Sequence, residues 1–316
     1  MPPDDPSLVV VGNFDGVHRG HQAVFHSALE LAKHRAVRPV MLTFDPHPSV
    51  VLGRTPPPVL TTLARKQQLV ARMFPEVMHF VQRFDTSFAA LTPEHFAREF
   101  LVGVLRSRVV VVGTNFRFGH ERRGDFSALE ALGDKLGFET RSVVLAADED
   151  GPWSSTRIRH AVAQGKVDEA RCILGRPHML SGVVVRGDQR GRTLGAPTCN
   201  LAEVPQVRPA YGVYAVLVDV IEGGVARALA RGVANLGVRP TVASPDPTAT
   251  FEVHLFDVDR DLYGSELQVH FISRIRDEKK FASLSELRAQ IERDSSVARE
   301  RLNDIVPDPF AQGAWS

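Results

Sequence analysis

The run Arg108 to Gly113 contains four consecutive valines and restricts the fold of this 316-residue chain more than any other segment. β-branched residues favour strands, and valine at successive positions makes both faces of a strand apolar. Such strands are typical of parallel sheets that helices cover on both sides. Further apolar runs of strand length, with helical patterns between them, are Leu8 to Val11, Val40 to Phe44 and Met78 to Val81. The first half of the chain is therefore predicted to be an α/β domain.

After Gly182 the pattern changes to short alternating strands separated by Gly, Pro and Asn clusters, which predicts a compact β barrel. The domain boundary is predicted at Pro177, because proline ends the preceding helix. This gives domains of residues 1–176 and 177–306, followed by a tail, residues 307–316, that we expect to be disordered. The strands predicted for the barrel are Val183 to Arg186, Val213 to Val220, Ala228 to Ala234, Phe251 to Val258 and Leu267 to Ile272.

Two predicted helices have a clear apolar face. A helix near the C-terminus carries Leu284, Leu287 and Ile291 in step, and we expect these side chains to pack on the barrel. The helix that follows His21 is predicted to bury one face, formed by Val24, Phe25, Ala28, Leu31 and Ala32.

Composition excludes several classes of protein. The 38 basic and 37 acidic residues leave a formal charge of +1, so the sequence does not favour a nucleic-acid partner. The two cysteines, Cys172 and Cys199, are too few for a disulfide framework or a four-ligand zinc site, which fits a reducing compartment. The N-terminus does not resemble a signal peptide, and no apolar stretch reaches the roughly 18 residues of a membrane span. We expect a cytoplasmic protein without a membrane partner; the sequence does not indicate an oligomeric state.

The segment GNFDGVHRGH, residues 12–21, follows the first predicted strand and begins a helix. Its glycines allow a tight turn, so free backbone N–H groups and the positive end of the helix face one point and attract phosphate. His18 and His21 are three residues apart, would lie on one side, and can donate hydrogen bonds to triphosphate oxygens. A capped helix with a solvent-facing histidine and a zinc-binding histidine pair are the alternatives at this point.

A second segment with functional character is SSTRIR, residues 154–159. Ser154 and Ser155 are good N-caps for a helix that continues through Val162, which by itself would explain them. Arg157 and Arg159 place positive charge at the same helix end, where it opposes the helix dipole but suits a pyrophosphate. Charge placed against the dipole favours a functional interpretation.

Together with TFDPHP at 43–48 and GTNFRFG at 113–119, these motifs resemble the HxGH-type nucleotidyltransferases, in particular the flavin-adenylating half of the bacterial FAD synthetases. The resemblance implies a Rossmann-like domain that adenylylates flavin mononucleotide (FMN) with ATP. It implies that Ser155, Thr156 and Arg157 hold the transferred or leaving phosphates. His47 and Asn115 would lie beside FMN. The residues implied to bind ATP in the first motif are Gly12, Asn13, Phe14, Asp15, His18, Gly20 and His21.

The nucleophile of adenylyl transfer is a phosphate that is largely ionised at neutral pH, so the reaction needs no general base. His18, His21 and Arg157 are therefore expected to act by positioning and by neutralising charge on the phosphates. The chain departs from many members of the family at Thr114 and Asn115, where acidic residues are common. At Trp153 a smaller residue is common.

The second half contains a glycine-rich segment, residues 182–200, that ends in PTCN. In an extended segment Thr198 and Asn200 project to one side and Cys199 to the other. Two neutral oxygens side by side suit Mg²⁺ carried by a nucleotide, although a polar turn after proline explains them slightly better when the motif is taken alone. In TFEVHLF, Glu252 and His254 share one face of a strand, which by itself indicates only a solvent face opposite a core face. Phosphorylation of an alcohol would need a positioned base, and Glu252 could be that base.

The motifs GVVVRGDQRGRTLGAPTCN, GVYAV, ANLGVRPTV, FEVHLFD, DLYG and RIRDEKKF occur in this order and closely resemble riboflavin kinase, from Gly182 to Phe281. The resemblance implies a six-stranded barrel with a C-terminal helix. Glu252 would be the catalytic base, Arg276 would lie near the flavin, and Thr198 and Asn200 would hold Mg²⁺. The nucleotide would contact Gly182, Gly187, Gly191, Arg192, Pro197, Thr198 and Asn200.

With both halves in one chain, the resemblance implies a bifunctional enzyme. Riboflavin and ATP would give FMN and ADP in the C-terminal domain, and FMN with a second ATP would give FAD and pyrophosphate in the N-terminal domain. Mg²⁺ would be the cofactor, ATP the co-substrate, and riboflavin, FMN and FAD the other small-molecule partners. The alternatives are a riboflavin kinase with a non-catalytic nucleotide-binding N-terminal domain, and a regulatory protein that senses flavin without turnover.

Overall fold

A computed structural model describes residues 2–143, 147–186, 198–239, 248–306 and 315. The chain forms two compact units, Met1–Ser155 and Thr156–Ser316. The first unit therefore ends before the boundary that the sequence predicts at Pro177. The predicted boundary, with a tail after residue 306, stays a prediction.

The first unit is built around a five-stranded sheet in which every pair of neighbouring strands is parallel. The order of the strands is β3-β2-β1-β4-β5, so the α/β prediction is confirmed. The strands are β1 (Ser7–Val11), β2 (Arg38–Asp45), β3 (Met78–Arg83), β4 (Ser107–Gly113) and β5 (Glu139–Val143).

Apolar layers cover both faces of this sheet. Val109 and Val111 belong to one buried cluster and Val110 and Val112 to the other, as the valine run predicts. A short hairpin, β6 (Ala147–Asp148) and β7 (Gly151–Pro152), follows the sheet. The helices are α1 (Arg19–Arg35), α2 (Pro48–Val51), α3 (Leu63–Met73), α4 (Thr86–Ala89), α5 (Pro93–His95) with a π-helical continuation (Phe96–Val104), a 3₁₀ turn (His120–Arg122) and α6 (Phe126–Leu136).

The strand order fixes where a ligand can bind in this unit. The chain leaves β1 toward β2 on one side, whereas β4 and β5 lie on the other side of β1. In open α/β sheets, ligands bind outside the carboxyl ends of the strands at such a reversal. The segment 12–18 follows β1, and residues 114–115 follow β4, so both begin at this edge.

The second unit contains a closed six-stranded barrel in the order β10-β11-β12-β9-β8-β13, as predicted. Alternate residues fill its interior, among them Tyr214, Val253 and Phe271, which are fully buried. The barrel strands are β8 (His178–Val185), β9 (Thr198–Ala202), β10 (Gly212–Glu222), β11 (Val225–Arg239), β12 (Thr248–Leu255) and β13 (Glu266–Arg276).

Three helices belong to the second unit: α7 (Ser155–Ala163), which begins at the boundary, α8 (Val167–Leu174) and α9 (Leu284–Leu302). α9 packs on the barrel through Ala298 and Leu302. The prediction that Leu284 packs there is wrong, because this residue is 72% exposed in the first turn, directly after the N-cap Ser283. No helix in the described ranges is long and apolar enough to cross a membrane.

Strands β5 and β9 were not among the predicted strands. β5 is an edge strand with a polar sequence, ETRSV, that lacks an apolar run. Of the tail, residues 307–316, that we expect to be disordered, the structure describes Trp315. The Trp315 indole donates to the Val218 carbonyl at 3.1 Å and stacks under the Arg231 guanidinium.

Candidate active sites

The segment from Gly12 to His18, here called the phosphate turn, has an unusual backbone. Phe14 and Val17 have φ angles of 48° and 40°, in the left-handed region that non-glycine residues rarely adopt. Each such residue costs on the order of 1–3 kcal/mol, so the surrounding structure must hold the turn in place. Gly12 has no room for a side chain, since a Cβ there would lie 2.9 Å from the Phe14 ring.

The carboxylate of Asp15 makes many of the contacts that hold the phosphate turn in place. It accepts hydrogen bonds from the backbone N–H groups of Leu60 and Thr61 at 3.1 and 2.9 Å, and from the Thr61 hydroxyl at 3.2 Å. The same hydroxyl accepts from the Gly16 N–H at 3.0 Å. Asp15 is 8% exposed. Its carboxylate therefore ties the phosphate turn to residues 60–61; its predicted contact with ATP stays a prediction.

The two histidines of the motif lie face to face. The rings of His18 and His21 are stacked with centroids 3.6 Å apart, and Phe14 meets the edge of His21 at 5.3 Å. His18 is the N-cap of α1, where its Nδ1 accepts from the His21 N–H at 3.4 Å. His18 can therefore cap the helix and also bind a phosphate, because the cap uses only one of its two ring nitrogens.

Asn13 joins the phosphate turn to the segment after β2. Its side-chain amide lies 3.1 Å from Nε2 of His47. Nδ1 of His47 accepts from the Ser49 N–H at 3.2 Å and caps α2. The carbonyl of Asn13 accepts from the Thr43 hydroxyl at 3.3 Å. The structure thus brings together one residue predicted to bind ATP, Asn13, and one predicted to bind FMN, His47.

Ser155 and Trp153 also contact the phosphate turn and the start of α1. The Ser155 hydroxyl donates to the Asp15 carbonyl at 2.8 Å. The Trp153 indole donates to Asp148 at 2.9 Å, and its ring lies 5.8 Å from the Arg19 guanidinium. The Trp153 carbonyl would lie 3.3 Å from a Cβ at Gly20, which leaves little space there. The contacts of Ser155 with Asp15 and of Trp153 with Arg19 and Gly20 join residues more than 130 positions apart, and no local sequence pattern predicts them.

The remaining predicted residues of this site are Asn115, Thr156 and Arg157. Asn115 is exposed, and its side chain folds back toward Gly113 at the end of β4. Thr156 and Arg157 belong to the second unit, where the Arg157 guanidinium lies 3.4 Å from the Glu169 carboxylate on α8. The Arg157 side chain is 16% exposed, so it is held in place.

In the barrel, strand register assembles the second site. Glu252 on β12 is opposite Asn200 on β9, and opposite Asn235 on β11. His254 is opposite Thr198. Directly opposed residues of antiparallel strands share a face, with Cβ atoms about 5 Å apart. The structure therefore places Thr198, Asn200, Glu252 and His254 on one face, with Asn235 as a neighbour that the sequence reasoning did not identify.

The opposite face of the same strands is apolar. Phe251, Val253 and Leu255 are buried in the barrel interior, and Cys199 packs against the same core. The predicted alternation around Cys199 and around Glu252 is thus observed. Burial raises the pKa of the Cys199 thiol to about 11. This thiol is therefore a neutral core group at neutral pH.

Arg276, predicted to lie near the flavin, is held by a buried carboxylate. Its Nε and Nη2 donate to Asp294 on α9 at distances of 2.8–3.1 Å. Gln290 donates to the same carboxylate at 2.8 Å, and the ring of Phe281 lies 5.7 Å from the guanidinium. The Asp294 side chain is 6% exposed and that of Arg276 is 23% exposed. Such a pair fixes the guanidinium at the end of β13.

Other residues predicted to contact the kinase nucleotide lie in β8 or outside the described residues. Gly182 lies in β8, where a Cβ would approach the Ala202 carbonyl to 2.7 Å, so close packing alone explains this glycine. The predicted nucleotide contacts Gly187, Gly191, Arg192 and Pro197 lie outside the described residues. Within the described ranges, no group of three or more His, Cys, Asp or Glu side chains could hold a metal ion.

Comparison with known proteins identifies relatives of both units. A family model described as FAD synthetase matches residues 2–157, and one described as riboflavin kinase matches residues 174–302. The chain is 42% identical to the bifunctional riboflavin kinase/FMN adenylyltransferase of Escherichia coli (strain K12), over 94% of this chain and 93% of that protein. It is 36% identical to the protein of the same name from Bacillus subtilis (strain 168), over 92% and 91% of the two chains.

A solved structure is also similar over nearly its full length. The crystal structure of a protein described as a macrolide-efflux protein from Streptococcus pneumoniae matches with a TM-score of 0.81 and 33% identity, and covers 95% of each chain. The structure therefore shares its fold with a protein whose description names a different role. The sequence matches decide the family: the chain belongs to the bifunctional riboflavin kinase/FMN adenylyltransferases, with the FAD synthetase domain first and the riboflavin kinase domain second.

Proposed function

We propose that this chain converts riboflavin to FAD in two steps, each with its own ATP. The barrel unit phosphorylates riboflavin to FMN and releases ADP, and the α/β unit adenylylates FMN to FAD and releases pyrophosphate. The observation that carries this proposal is the tandem match of one chain to a FAD synthetase domain and a riboflavin kinase domain. The order of the reactions is then the reverse of the order of the domains.

In the kinase step, Glu252 acts as the general base. The primary hydroxyl of riboflavin is un-ionised at neutral pH, so it must lose its proton as it attacks the γ-phosphorus of ATP. Glu252 accepts this proton, the new bond forms between the riboflavin oxygen and phosphorus, and ADP leaves. The amide side chains of Asn200 and Asn235 flank Glu252 across the strands and are suited to orient the carboxylate. Arg276, fixed by Asp294, contacts the flavin.

The donor set beside Glu252 fits Mg²⁺. Thr198 offers a hydroxyl oxygen and Asn200 an amide oxygen on the same face, and both are hard, neutral ligands. Mg²⁺ usually keeps several waters and reaches a protein together with nucleotide phosphates, so two side-chain ligands are sufficient. When bound, the ion would neutralise charge on the transferred phosphate.

In the adenylylation step, the residues position and neutralise charge. His18 and His21 hold ATP phosphates at the start of α1, together with backbone N–H groups of the phosphate turn. The FMN phosphate attacks the α-phosphorus of ATP, and pyrophosphate leaves; the role of Arg157 in neutralising its charge stays a prediction. Asp15 and Ser155 maintain the turn. His47 and Asn115 contact FMN.

Two alternatives are less favoured. A kinase with an inactive first domain would be expected if Thr114 and Trp153 disrupted the phosphate turn, but Trp153 has partners of its own, since it donates to Asp148 and lies against Arg19. A flavin sensor without turnover needs neither a metal site nor a base, so it does not explain why Thr198, Asn200 and Glu252 share one face. A cytoplasmic location stays a prediction.

One assay tests both activities. The protein is incubated with riboflavin and Mg-ATP, and FMN and FAD are resolved by chromatography over time. We expect FMN to form first and FAD to follow. A second incubation starts from FMN and Mg-ATP; failure to release both FAD and pyrophosphate there would reject the adenylylation activity, whereas failure to form FMN from riboflavin would reject the kinase activity.

A further inference from the structure

Lys66, in the second turn of α3, is a buried cation whose position the proposed function does not explain. It is 8% exposed, and the neighbouring Arg65 is 6% exposed. Lysine is almost never this buried unless a partner compensates its charge. α3 has no acidic residue in its first turn, and positive charge near a helix N-terminus opposes the helix dipole. Two unfavourable effects therefore act on the same side chain.

The electrostatic surroundings show how this charge is tolerated. Burial lowers the pKa of the Lys66 ammonium, and the negative charges of Asp15 and Asp45 act in the opposite direction. Asp15 lies in the phosphate turn, and Asp45 is the last residue of β2. Lys66 thus lies near both segments that leave the carboxyl ends of β1 and β2, the edge at which we place the adenylylation site.

A chain of hydrogen bonds leads from Lys66 into the site. Its ammonium donates to the Thr43 hydroxyl at 3.3 Å, and that hydroxyl donates to the Asn13 carbonyl at 3.3 Å. The Asn13 side chain lies against His47 at 3.1 Å. Thr43 is fully buried, so water cannot replace this connection. The chain therefore ends at the pair in which a predicted ATP residue meets a predicted FMN residue.

We propose that Lys66 is a positioning residue for adenylyl transfer: through the Thr43 hydroxyl it fixes the Asn13 carbonyl, and thereby the Asn13–His47 pair between the two substrates. The ammonium orients Thr43 as a donor toward Asn13, because a hydroxyl that accepts from an ammonium turns its own hydrogen away. This inference rests on the proposed adenylylation activity. Lys66 is expected to affect the rate at which the bound substrates react more than the affinity for either substrate.

The test uses the full chain and three single variants, Lys66→Met, Lys66→Arg and Thr43→Val. Lys66→Met removes the charge and the donor, Lys66→Arg keeps both, and Thr43→Val keeps the shape but removes the connection. We expect Lys66→Met to lower kcat for FAD formation roughly 10- to 100-fold, with smaller changes in the KM values of FMN and ATP, because small misplacements cost this much. Lys66→Arg should retain activity within about threefold.

The double variant Lys66→Met/Thr43→Val separates positioning from an independent effect of charge. If Lys66 acts through Thr43, the double variant should be no slower than Lys66→Met, because the second change breaks a connection already lost. The proposal would be overturned if the kcat losses of the two single variants multiplied in the double variant. It would also be overturned if Thr43→Val had the kcat of the wild-type protein. If Lys66→Met does not fold, Thr43→Val decides alone, since it is nearly isosteric and must lower kcat several-fold.

FMN formation by the barrel in the same preparation serves as the internal control. It should be unchanged in every variant, because Lys66 and Thr43 belong to the other unit. If the wild-type protein forms no FAD, the proposed adenylylation itself fails. If the wild-type protein forms FAD and Lys66→Met forms it equally fast, only the role of Lys66 is rejected.

Discussion

The two candidate sites are built in different ways. The phosphate turn is one continuous segment whose backbone is strained at Phe14 and Val17 and is held by contacts from Thr61 and Ser155. In the barrel, the polar residues around Glu252 come from three strands, β9, β11 and β12, and backbone register alone brings Asn200 and Asn235 beside it. The first site therefore depends on supporting side chains, whereas the second depends on the sheet.

This difference explains which chemistry each unit can carry. A helix start with two adjacent histidines suits phosphate binding, which requires charge neutralisation but no proton transfer. A carboxylate on a rigid strand, flanked by amides, suits proton transfer from an alcohol, which requires one group at a fixed position.

The largest effect is expected for Glu252→Gln. The substitution keeps the shape but removes the base, so FMN formation from riboflavin should fall by a factor of roughly 10² to 10⁴. FAD formation from added FMN should not change. Glu266→Gln, on an exposed residue at the start of β13, is the matched control and should be silent. Wild-type FMN formation by Glu252→Gln would show that another group accepts the proton.

His21→Ala should have the opposite selectivity. Loss of one charge-stabilising donor typically costs a factor of about 10² to 10³, so FAD formation should fall by this amount while FMN formation is retained. His34→Ala, on an exposed histidine in the last turn of the same helix, should have no effect. Loss of both activities in His21→Ala would mean that the two units are not functionally independent.

Local sequence patterns predicted part of the fold and part of each site. The four valines of β4 identified a strand buried on both sides, and the motif around His18 and His21 identified the phosphate turn. Alternation in TFEVHLF correctly separated Glu252 from the core residue Val253. All of these are local patterns, in which neighbouring positions determine the outcome.

Contacts between distant positions could not be predicted in this way. Asn235 joins Glu252 only through the pairing of β11 with β12. The Asp15 carboxylate binds residues 60–61, and Trp153 lies against Arg19, which only the folded chain reveals. Leu284 continued the apolar stripe of α9 but lies beyond the barrel surface that the helix covers.

An intermediate effect is expected for Asp294→Asn. The change weakens the hold on Arg276 and leaves a partly buried guanidinium poorly compensated, so the KM for riboflavin should rise about five- to tenfold. FAD formation from FMN should be unaffected. The control is Asp257→Asn, because Asp257 binds Arg299 in the same two-point manner at 2.9 and 3.0 Å but at an exposed position. Exposed pairs contribute little.

If Asp294→Asn lowers thermal stability without changing the KM for riboflavin, the pair supports only the packing of α9 and Arg276 does not contact the flavin. If Asp294→Asn does raise the KM for riboflavin, a second variant tests whether the charge of Asp294 is responsible. Asp294→Glu keeps the charge and should recover part of the affinity, whereas a requirement for packing alone would not distinguish Glu from Asn. The measurement is a riboflavin titration of initial rates at saturating Mg-ATP.

The smallest effect is expected at Cys199, between two residues that should matter. Burial raises the pKa of this thiol to about 11, so it stays protonated between roughly pH 7 and 9 and cannot serve as a base or metal ligand there. Cys199→Ala should change FMN formation less than about twofold and leave its pH profile unaltered, since only core packing is lost. Asn200→Ala, one position along and on the outer face, should reduce kcat clearly. A large loss of activity in Cys199→Ala at unchanged thermal stability would contradict the assignment of faces, and with it the idea that strand register alone builds the kinase site.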